Sequence, residues 1–206
     1  MAISTYAELQ DAVAVWLNRP DVDQSVGTLI SLTEADINRR LRHYKMTKRS
    51  VAEVDSQFSA TPSDYLQTIR FSITSGSTNA LDVISQNELL DRKSLSANTA
   101  GTPKFYAFTG EQFEFYPVPD DTYNAELVYY AEIEALSDQN TSNWLLSDAP
   151  DVYLYGTLAQ SAPFLGDDAR LSVWNSLYEK ALSGLNNASD AARFGGVGLR
   201  LNIRSY

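Results

Sequence analysis

Apolar residues recur at helical spacing near the N-terminus, which predicts two helices. Thr5 and Glu8 form the pattern of a capping box. The apolar stripe of the first predicted helix is Tyr6, Leu9, Val13, Trp16 and Leu17, and Pro20 ends it. The stripe of the second, expected over residues 23–45, is Leu29, Thr33, Ile37 and Leu41.

The period changes to that of strands between residues 47 and 133. β-branched and aromatic residues fill short runs that turn residues separate, and these predict strands at 50–54, 69–74, 81–84, 105–109, 112–116 and 125–131. The clearest hairpin joins 105–109 to 112–116 through Gly110. A short helix is expected at 86–92.

Helical spacing returns after Trp144. Asp148 or Ser147 is expected to cap a helix with Pro150 in its first turn, and Asp167 and Asp168 to open a last helix. Helices at both ends with strands between them predict an α+β fold, a helical bundle with an inserted antiparallel β domain. The expected divisions are 1–46 and 136–194 for the bundle, 47–135 for the β domain and 195–206 for an extended C-terminal arm.

The last ten residues have the pattern of a strand without an evident partner. Apolar Val197, Leu199, Leu201 and Ile203 alternate with Gly198, Arg200, Asn202 and Arg204, so a strand here would have one apolar face. A hinge is expected at Gly195, Gly196 and Gly198. The arm either folds back onto its own domain or inserts into another subunit. The interface predicted for the second case is Val197, Leu199, Arg200, Leu201, Ile203, Arg204 and Tyr206.

A basic cluster at the end of the second predicted helix has two interpretations. Its members are Arg39, Arg40, Arg42 and Lys45. They complement the negative end of the helix dipole, or they form a basic edge that faces an acidic edge of the next subunit.

Composition excludes several classes of protein. The chain has 206 residues, a formal net charge of −10 and no cysteine. The negative charge makes a surface that neutralises phosphate over the whole protein implausible. The absence of cysteine excludes disulfides and thiolate metal sites. Met1–Ser4 lacks the features of a signal peptide and no stretch is apolar enough to span a membrane, so we expect a soluble protein made in the cytoplasm, with no membrane partner.

Candidate catalytic residues are few. The single histidine, His43, is expected in the basic end of the second helix, where it is unsuited to a catalytic triad. The carboxylate pairs Asp120-Asp121, Glu132 with Glu134, and Asp167-Asp168 each have a structural explanation in a turn, a strand end or a helix cap. We expect no cofactor, no metal and no enzymatic activity, although two acids that the fold brings together would leave no local motif.

Several segments together resemble the head-to-tail adaptor family of tailed bacteriophages. The segments are Thr5–Leu9 with Trp16-Leu17, Glu34–Arg42, Tyr116–Pro119, Tyr129–Ala131, Asn143–Leu146 and Pro150–Gly156. The resemblance spans nearly the whole chain through the order and spacing of these segments.

The resemblance implies a structural connector in the neck of a virion. Such a protein forms a ring, typically dodecameric, beneath the portal and above the tail or nozzle protein, and genomic DNA passes through its centre without sequence-specific binding. The arm would then dock on the portal or a neighbouring subunit, which couples assembly to strand addition. The alternatives are a virion-associated glycan or cell-wall hydrolase and a tail-surface glycan-binding protein.

Overall fold

The chain forms helices at both ends and strands between them. The computed structural model describes residues 3–18, 25–76, 78–95, 100–165 and 169–194. One compact unit contains the described residues up to Lys45 and those from Ile133 onward, and a second comprises Met46–Glu132. The regular structure of the first unit is helical and that of the second is mainly sheet, so the predicted α+β class is confirmed.

Six of the seven α-helices found in the described ranges belong to the first unit. In chain order they are α1 Tyr6–Leu17, α2 Val26–Arg40, α3 Gln86–Leu95, α4 Trp144–Asp148, α5 Pro150–Gln160, α6 Ala162–Leu165 and α7 Arg170–Phe194, with α3 alone in the second unit. None of these helices is both long and apolar enough to cross a membrane.

The N-terminus of α1 has the predicted capping box. The Thr5 hydroxyl accepts the backbone N–H of Glu8, and the Glu8 carboxylate accepts the backbone N–H of Thr5. Leu9, Val13 and Leu17 are buried, as their spacing predicts, whereas Trp16 of the same predicted stripe is partly exposed. The local pattern therefore specified both the start of this helix and its buried face.

The second helix is shorter than predicted. α2 ends at Arg40 because Leu41 is extended, with φ −86° and ψ 134°, and is fully buried. Side chains of α7 replace the missing helical acceptors, since the Ser189 hydroxyl accepts the N–H of Tyr44 at 3.0 Å and the Asn186 carbonyl faces the N–H of Arg42 at 3.4 Å. The prediction of helix through residue 45 was wrong because these acceptors lie more than 140 residues away in the sequence.

The predicted cap of α5 is also wrong. Ala149 precedes Pro150 at the helix start and makes no side-chain cap bond. Asn143 instead caps the short helix α4, where its side-chain carbonyl accepts the N–H of Leu146 at 2.9 Å. Asp148 ends α4 and pairs with Lys45.

The second unit contains two four-stranded sheets. The strands are β1 Thr47–Val54, β2 Phe58–Ala60, β3 Tyr65–Ile73, β4 Asn79–Ala80, β5 Asp82–Val83, β6 Phe105–Thr109, β7 Gln112–Tyr116 and β8 Tyr123–Ala131. Their orders are β1-β8-β3-β4 and β2-β7-β6-β5, and every pair is antiparallel except β5 with β6. The predicted hairpin is confirmed as β6 and β7, with Gly110 at a positive φ of 63° in its turn.

Aromatic side chains form much of the core between the sheets. The ring centroid of Phe71 lies 5.1 Å from that of Phe113, 5.4 Å from that of Tyr106 and 5.5 Å from that of Phe115. All three contacts are edge-to-face, the arrangement that aromatic rings prefer. This core holds β3 of one sheet against the β6–β7 hairpin of the other.

The helix crossing in the first unit generates a stability prediction. A Cβ on Gly156 of α5 would lie 2.5 Å from the Thr33 methyl group and 2.9 Å from the Tyr178 ring, whereas a Cβ on Gly184 of α7 would meet nothing within 4 Å. We expect Gly156→Ala to lower the free energy of unfolding by about 1–3 kcal/mol through overpacking. The matched control Gly184→Ala should raise it by about 0.5–1 kcal/mol. Urea unfolding of the wild type and both variants measures their free energies of unfolding. Equal changes in the two variants would contradict the close approach of α5 to Thr33 and Tyr178.

Candidate assembly surfaces

The only histidine of the chain is part of the core packing of the first unit. His43 lies beyond the end of α2 and is buried, not in the basic end of a helix as predicted. Its ring stacks on Trp144 at a centroid distance of 5.0 Å, and its Nδ1 accepts the N–H of Lys45 at 3.3 Å. Burial lowers the pKa of His43, and the nearby Lys45 lowers it further. The ring therefore serves to pack the segment that follows α2.

Of the candidate acidic pairs, Asp120-Asp121 has a structural role, whereas Glu132 and Glu134 are exposed just beyond the end of β8. Asp120 accepts the Tyr123 hydroxyl at 2.6 Å, and Asp121 accepts the N–H of Thr122 at 2.7 Å, as expected of acids in a turn. Asp167 and Asp168 lie outside the described residues. Within the described ranges, no three His, Cys, Asp or Glu side chains come close enough together to hold a metal ion.

The first half of the basic cluster makes ion pairs within its own unit. Arg39 and Arg40 approach opposite oxygens of Asp36 at 3.2 and 3.3 Å, and Arg40 also pairs with Glu179 of α7. Burial opposes ionisation of Asp36, but hydrogen bonds from Tyr178 and the two arginines hold its pKa below the usual value. The Arg39 side chain is nevertheless 68 % exposed, so its outer surface is available to a neighbour.

The second half of the cluster contacts the C-terminal ends of α2 and α4. Arg42 donates to the carbonyl oxygens of Asn38 and Leu41 at 2.8 and 2.6 Å, which agrees with the interpretation that it complements the helix end. Lys45 pairs with Asp148 at 2.5 Å.

A shallow apolar groove lies between α5 and α7. It has a volume of about 470 Å³. Its apolar lining includes Tyr155, Leu177, Ala181 and Leu185, and Asp151 and Lys180 contribute charge. The Trp16 side chain is 45 % exposed and packs edge-on against Tyr155 at 6.0 Å. A partly exposed tryptophan beside an apolar groove is typical of a protein interface.

The two sheets of the second unit leave a gap along one edge. β1 and β2 are the terminal strands of their sheets, and small residues along them, among them Ser50, Ala52, Ser59 and Ala60, form the walls. Phe71, Phe113 and Leu127 form an apolar floor, and the cavity measures about 230 Å³. We call this feature the edge gap.

The predicted arm and its hinge lie outside the described residues. This applies to the hinge Gly195, Gly196 and Gly198 and to the interface Val197, Leu199, Arg200, Leu201, Ile203, Arg204 and Tyr206. Their roles stay predictions from the sequence pattern. α7 leads directly into this segment.

A buried carboxylate organises the other side of the first unit. Glu34 of α2 is 6 % exposed, and one oxygen accepts the N–H of Leu136 at 2.8 Å and the Tyr153 hydroxyl at 3.2 Å. Tyr153 in turn accepts from the Asn143 side-chain amide at 2.7 Å. One turn along α2, Asn38 accepts the N–H of Ile133 at 3.0 Å.

Glu34 and Asn38 bind the segment 133–136, with which the chain returns to the first unit after the sheets. Glu34 and Asn38 are four residues apart, so they lie on one face of α2 and take backbone N–H groups that no strand partner satisfies. Burial raises the pKa of Glu34, and the two hydrogen bonds only partly offset it. The sequence analysis missed the role of Glu34 and Asn38 as acceptors of backbone N–H groups. The signal in the sequence was a glutamate and an asparagine four residues apart, on one face of a predicted helix.

Comparison with known proteins agrees with the whole-chain resemblance. The family model described as SU10 adaptor protein matches residues 4–200. No curated protein matches the chain.

The raised pKa of Glu34 generates a prediction about pH. The folded state holds this proton more tightly than the unfolded state, so the wild type should gain stability relative to Glu34→Gln as pH falls from about 7 to about 4.5. At neutral pH we expect Glu34→Gln, which keeps an acceptor oxygen, to be at least as stable as the wild type. Glu34→Ala should lose about 1–3 kcal/mol because it leaves the N–H of Leu136 unpaired.

Urea unfolding of the three proteins at the two pH values measures these differences. If the stability difference between the wild type and Glu34→Gln were the same at both pH values, folding would not change the pKa of Glu34, and the prediction would be contradicted.

Proposed function

Because the chain belongs to the SU10 adaptor protein family, we propose that it is a structural protein of a tailed bacteriophage that joins the capsid to the tail. It forms a ring, typically dodecameric, beneath the portal. The match over residues 4–200 carries this proposal, since it includes both units and not a single widespread motif.

The surfaces of both units support a ring. The apolar groove beside Trp16 and the edge gap are two regions on separate units where a neighbouring subunit would cover apolar atoms. A ring uses heterologous contacts, in which two different surfaces of each subunit meet. The exposed side of Arg39 supplies a basic contact point on an otherwise acidic chain.

The charge of the chain supports a channel through which DNA passes. With a net charge of −10, the protein on average repels the phosphates of DNA and does not bind them tightly. Genomic DNA then moves through the ring without sequence-specific contacts. The partners are the portal above, the tail or nozzle protein below and further copies of the chain, all in the neck of the virion.

The C-terminal arm is the docking element. Its apolar residues Leu199, Leu201 and Ile203 would each contribute roughly 1.5–3 kcal/mol if a portal or adaptor neighbour covered them fully. Arg200 and Arg204 would pair with acids of that neighbour.

Electron microscopy tests the ring. We expect closed rings on portal-containing heads incubated with the purified chain, and no such rings on heads that lack the portal. Attachment at comparable levels to heads without portal, or attachment as isolated subunits, would contradict the proposal. Activity against purified cell wall or host glycan would favour the hydrolase alternative.

A pair of neighbouring substitutions tests the arm. Leu201→Asp places a charge on its apolar face, whereas Asn202→Asp places the same charge on its polar face. We expect Leu201→Asp to weaken attachment to portal-containing heads at least about tenfold, the equivalent of one lost apolar contact. Asn202→Asp should change it far less.

Quantitative pull-down of heads measures attachment, and unchanged thermal unfolding of the free variants excludes misfolding. Removal of all residues after Gly196 should weaken attachment at least as much as Leu201→Asp. Equal attachment of the truncated and complete chains would eliminate the arm as a docking element.

A further inference from the structure

The edge gap has the features of a site that accepts a strand. We propose that the C-terminal segment 197–206 of a neighbouring copy pairs with the free edge of β1 and inserts its apolar side chains into the edge gap. This inference rests on the proposed function, because the ring is what brings a second copy alongside.

The backbone of β1 supplies the first argument. β1 is eight residues long and pairs along its whole length with β8, and in the described part of the chain no strand pairs with its other side. A long free edge presents a row of backbone donors and acceptors that another strand satisfies. The opposite terminal strand of the same sheet, β4, has only two residues.

The side chains of β1 supply the second argument. Ala52 pairs with Ala125 and lines the gap, so it faces the other sheet, yet it is exposed. Where two sheets pack closely, the side chains on their inner faces interdigitate and fill the space between them. The small residues Ser50 and Ala52 thus leave a gap at this edge beside Phe71, Phe113 and Leu127, whose side chains are otherwise buried in the core.

The arm matches this acceptor in length and in pattern. Its alternation from Val197 to Arg204 covers eight residues, the length of β1. A register that sets Leu201 beside Ala52 also sets Leu199 and Ile203 beside Ser50 and Val54, in either strand direction. Three branched apolar side chains then point towards the gap.

Charge complementarity favours the same register. Glu53 and Asp55 are exposed and make no ion pair with another described residue. If the strands are parallel, the register places Arg204 beside Asp55. If they are antiparallel, it places Arg200 beside Glu53 but also Arg204 beside Arg49, so charge favours the parallel direction. After Asp190 the chain has no acidic residue that would oppose this approach.

A second β1 is a poorer occupant of the same edge. It would bring only the small side chains of Ser50 and Ala52 to the gap and would not fill it. The arm supplies the leucine and isoleucine side chains that β1 lacks.

Cysteine cross-linking tests the inference, since the natural chain has no cysteine. One chain carries Ala52→Cys and a second carries Leu201→Cys, and both are assembled together on portal-containing heads before mild oxidation. Adjacent strand residues come close enough for a disulfide. We expect a covalent dimer of the two chains, at least about tenfold above the control.

The control replaces Ala52→Cys with Val83→Cys. Val83 is also exposed, at 60 %, and lies on β5, the terminal strand at the opposite edge of the other sheet. A double variant with both Ala52→Cys and Leu201→Cys, oxidised at high dilution, shows whether the arm reaches the edge of its own chain.

Each outcome decides between specific alternatives. Equal cross-linking of the Val83→Cys control, a dimer formed by Ala52→Cys alone, or complete intramolecular closure of the double variant would overturn the inference. Absence of the mixed dimer on heads that carry adaptor rings would also overturn it, while the proposed function stands. Failure of the wild type to attach would reject the proposed function itself.

Discussion

The first unit depends on the hydrogen bonds that α2 makes to the chain returning from the second unit. Glu34 and Asn38 accept the N–H groups of Leu136 and Ile133, and Tyr153 and Asn143 extend the network. Without these acceptors, buried backbone groups would be left unpaired at the place where two segments of the bundle, far apart in sequence, must meet. Glu34 is buried while it accepts these hydrogen bonds, and this burial raises its pKa because it disfavours the charged carboxylate.

The two units offer different kinds of surface to an assembly. The helical unit exposes side chains, namely Trp16 with its adjoining groove and the outer side of Arg39. The sheet unit exposes backbone, along the free edge of β1 and above the edge gap. Side-chain surfaces suit contacts between preformed subunits, whereas a free strand edge suits a segment that orders on binding. The proposed function, in which the chain joins different neighbours, would use both.

The amount that could be predicted differs from element to element. The α1 capping box and the β6–β7 hairpin were predicted correctly because each depends on residues within a few positions of one another. The predicted C-terminal end of α2 and the predicted cap of α5 were wrong, since Ser189 and Asn186 of α7 bind the segment that follows α2 and Asn143 caps a short helix that precedes α5. His43 was misplaced for the same reason. Among the basic residues, the sequence showed the cluster but not the partners Asp36, Glu179 and Asp148.

By itself the sequence determined the α+β class, most of the apolar faces of α1 and α2, the strands of the hairpin and the membership of an adaptor family. These features depend on periodicity and on the order of motifs, which can be read along the chain without knowing its long-range contacts. The sequence also determined the alternating pattern of the arm. Only the tertiary structure decided that Glu34 would be a buried acceptor, that His43 would stack in a core, and that Ser50 and Ala52 would leave a gap at a sheet edge. Each of these depends on which distant residues become neighbours, and burial and hydrogen-bond partners are properties of that arrangement, not of a residue's own position in the chain.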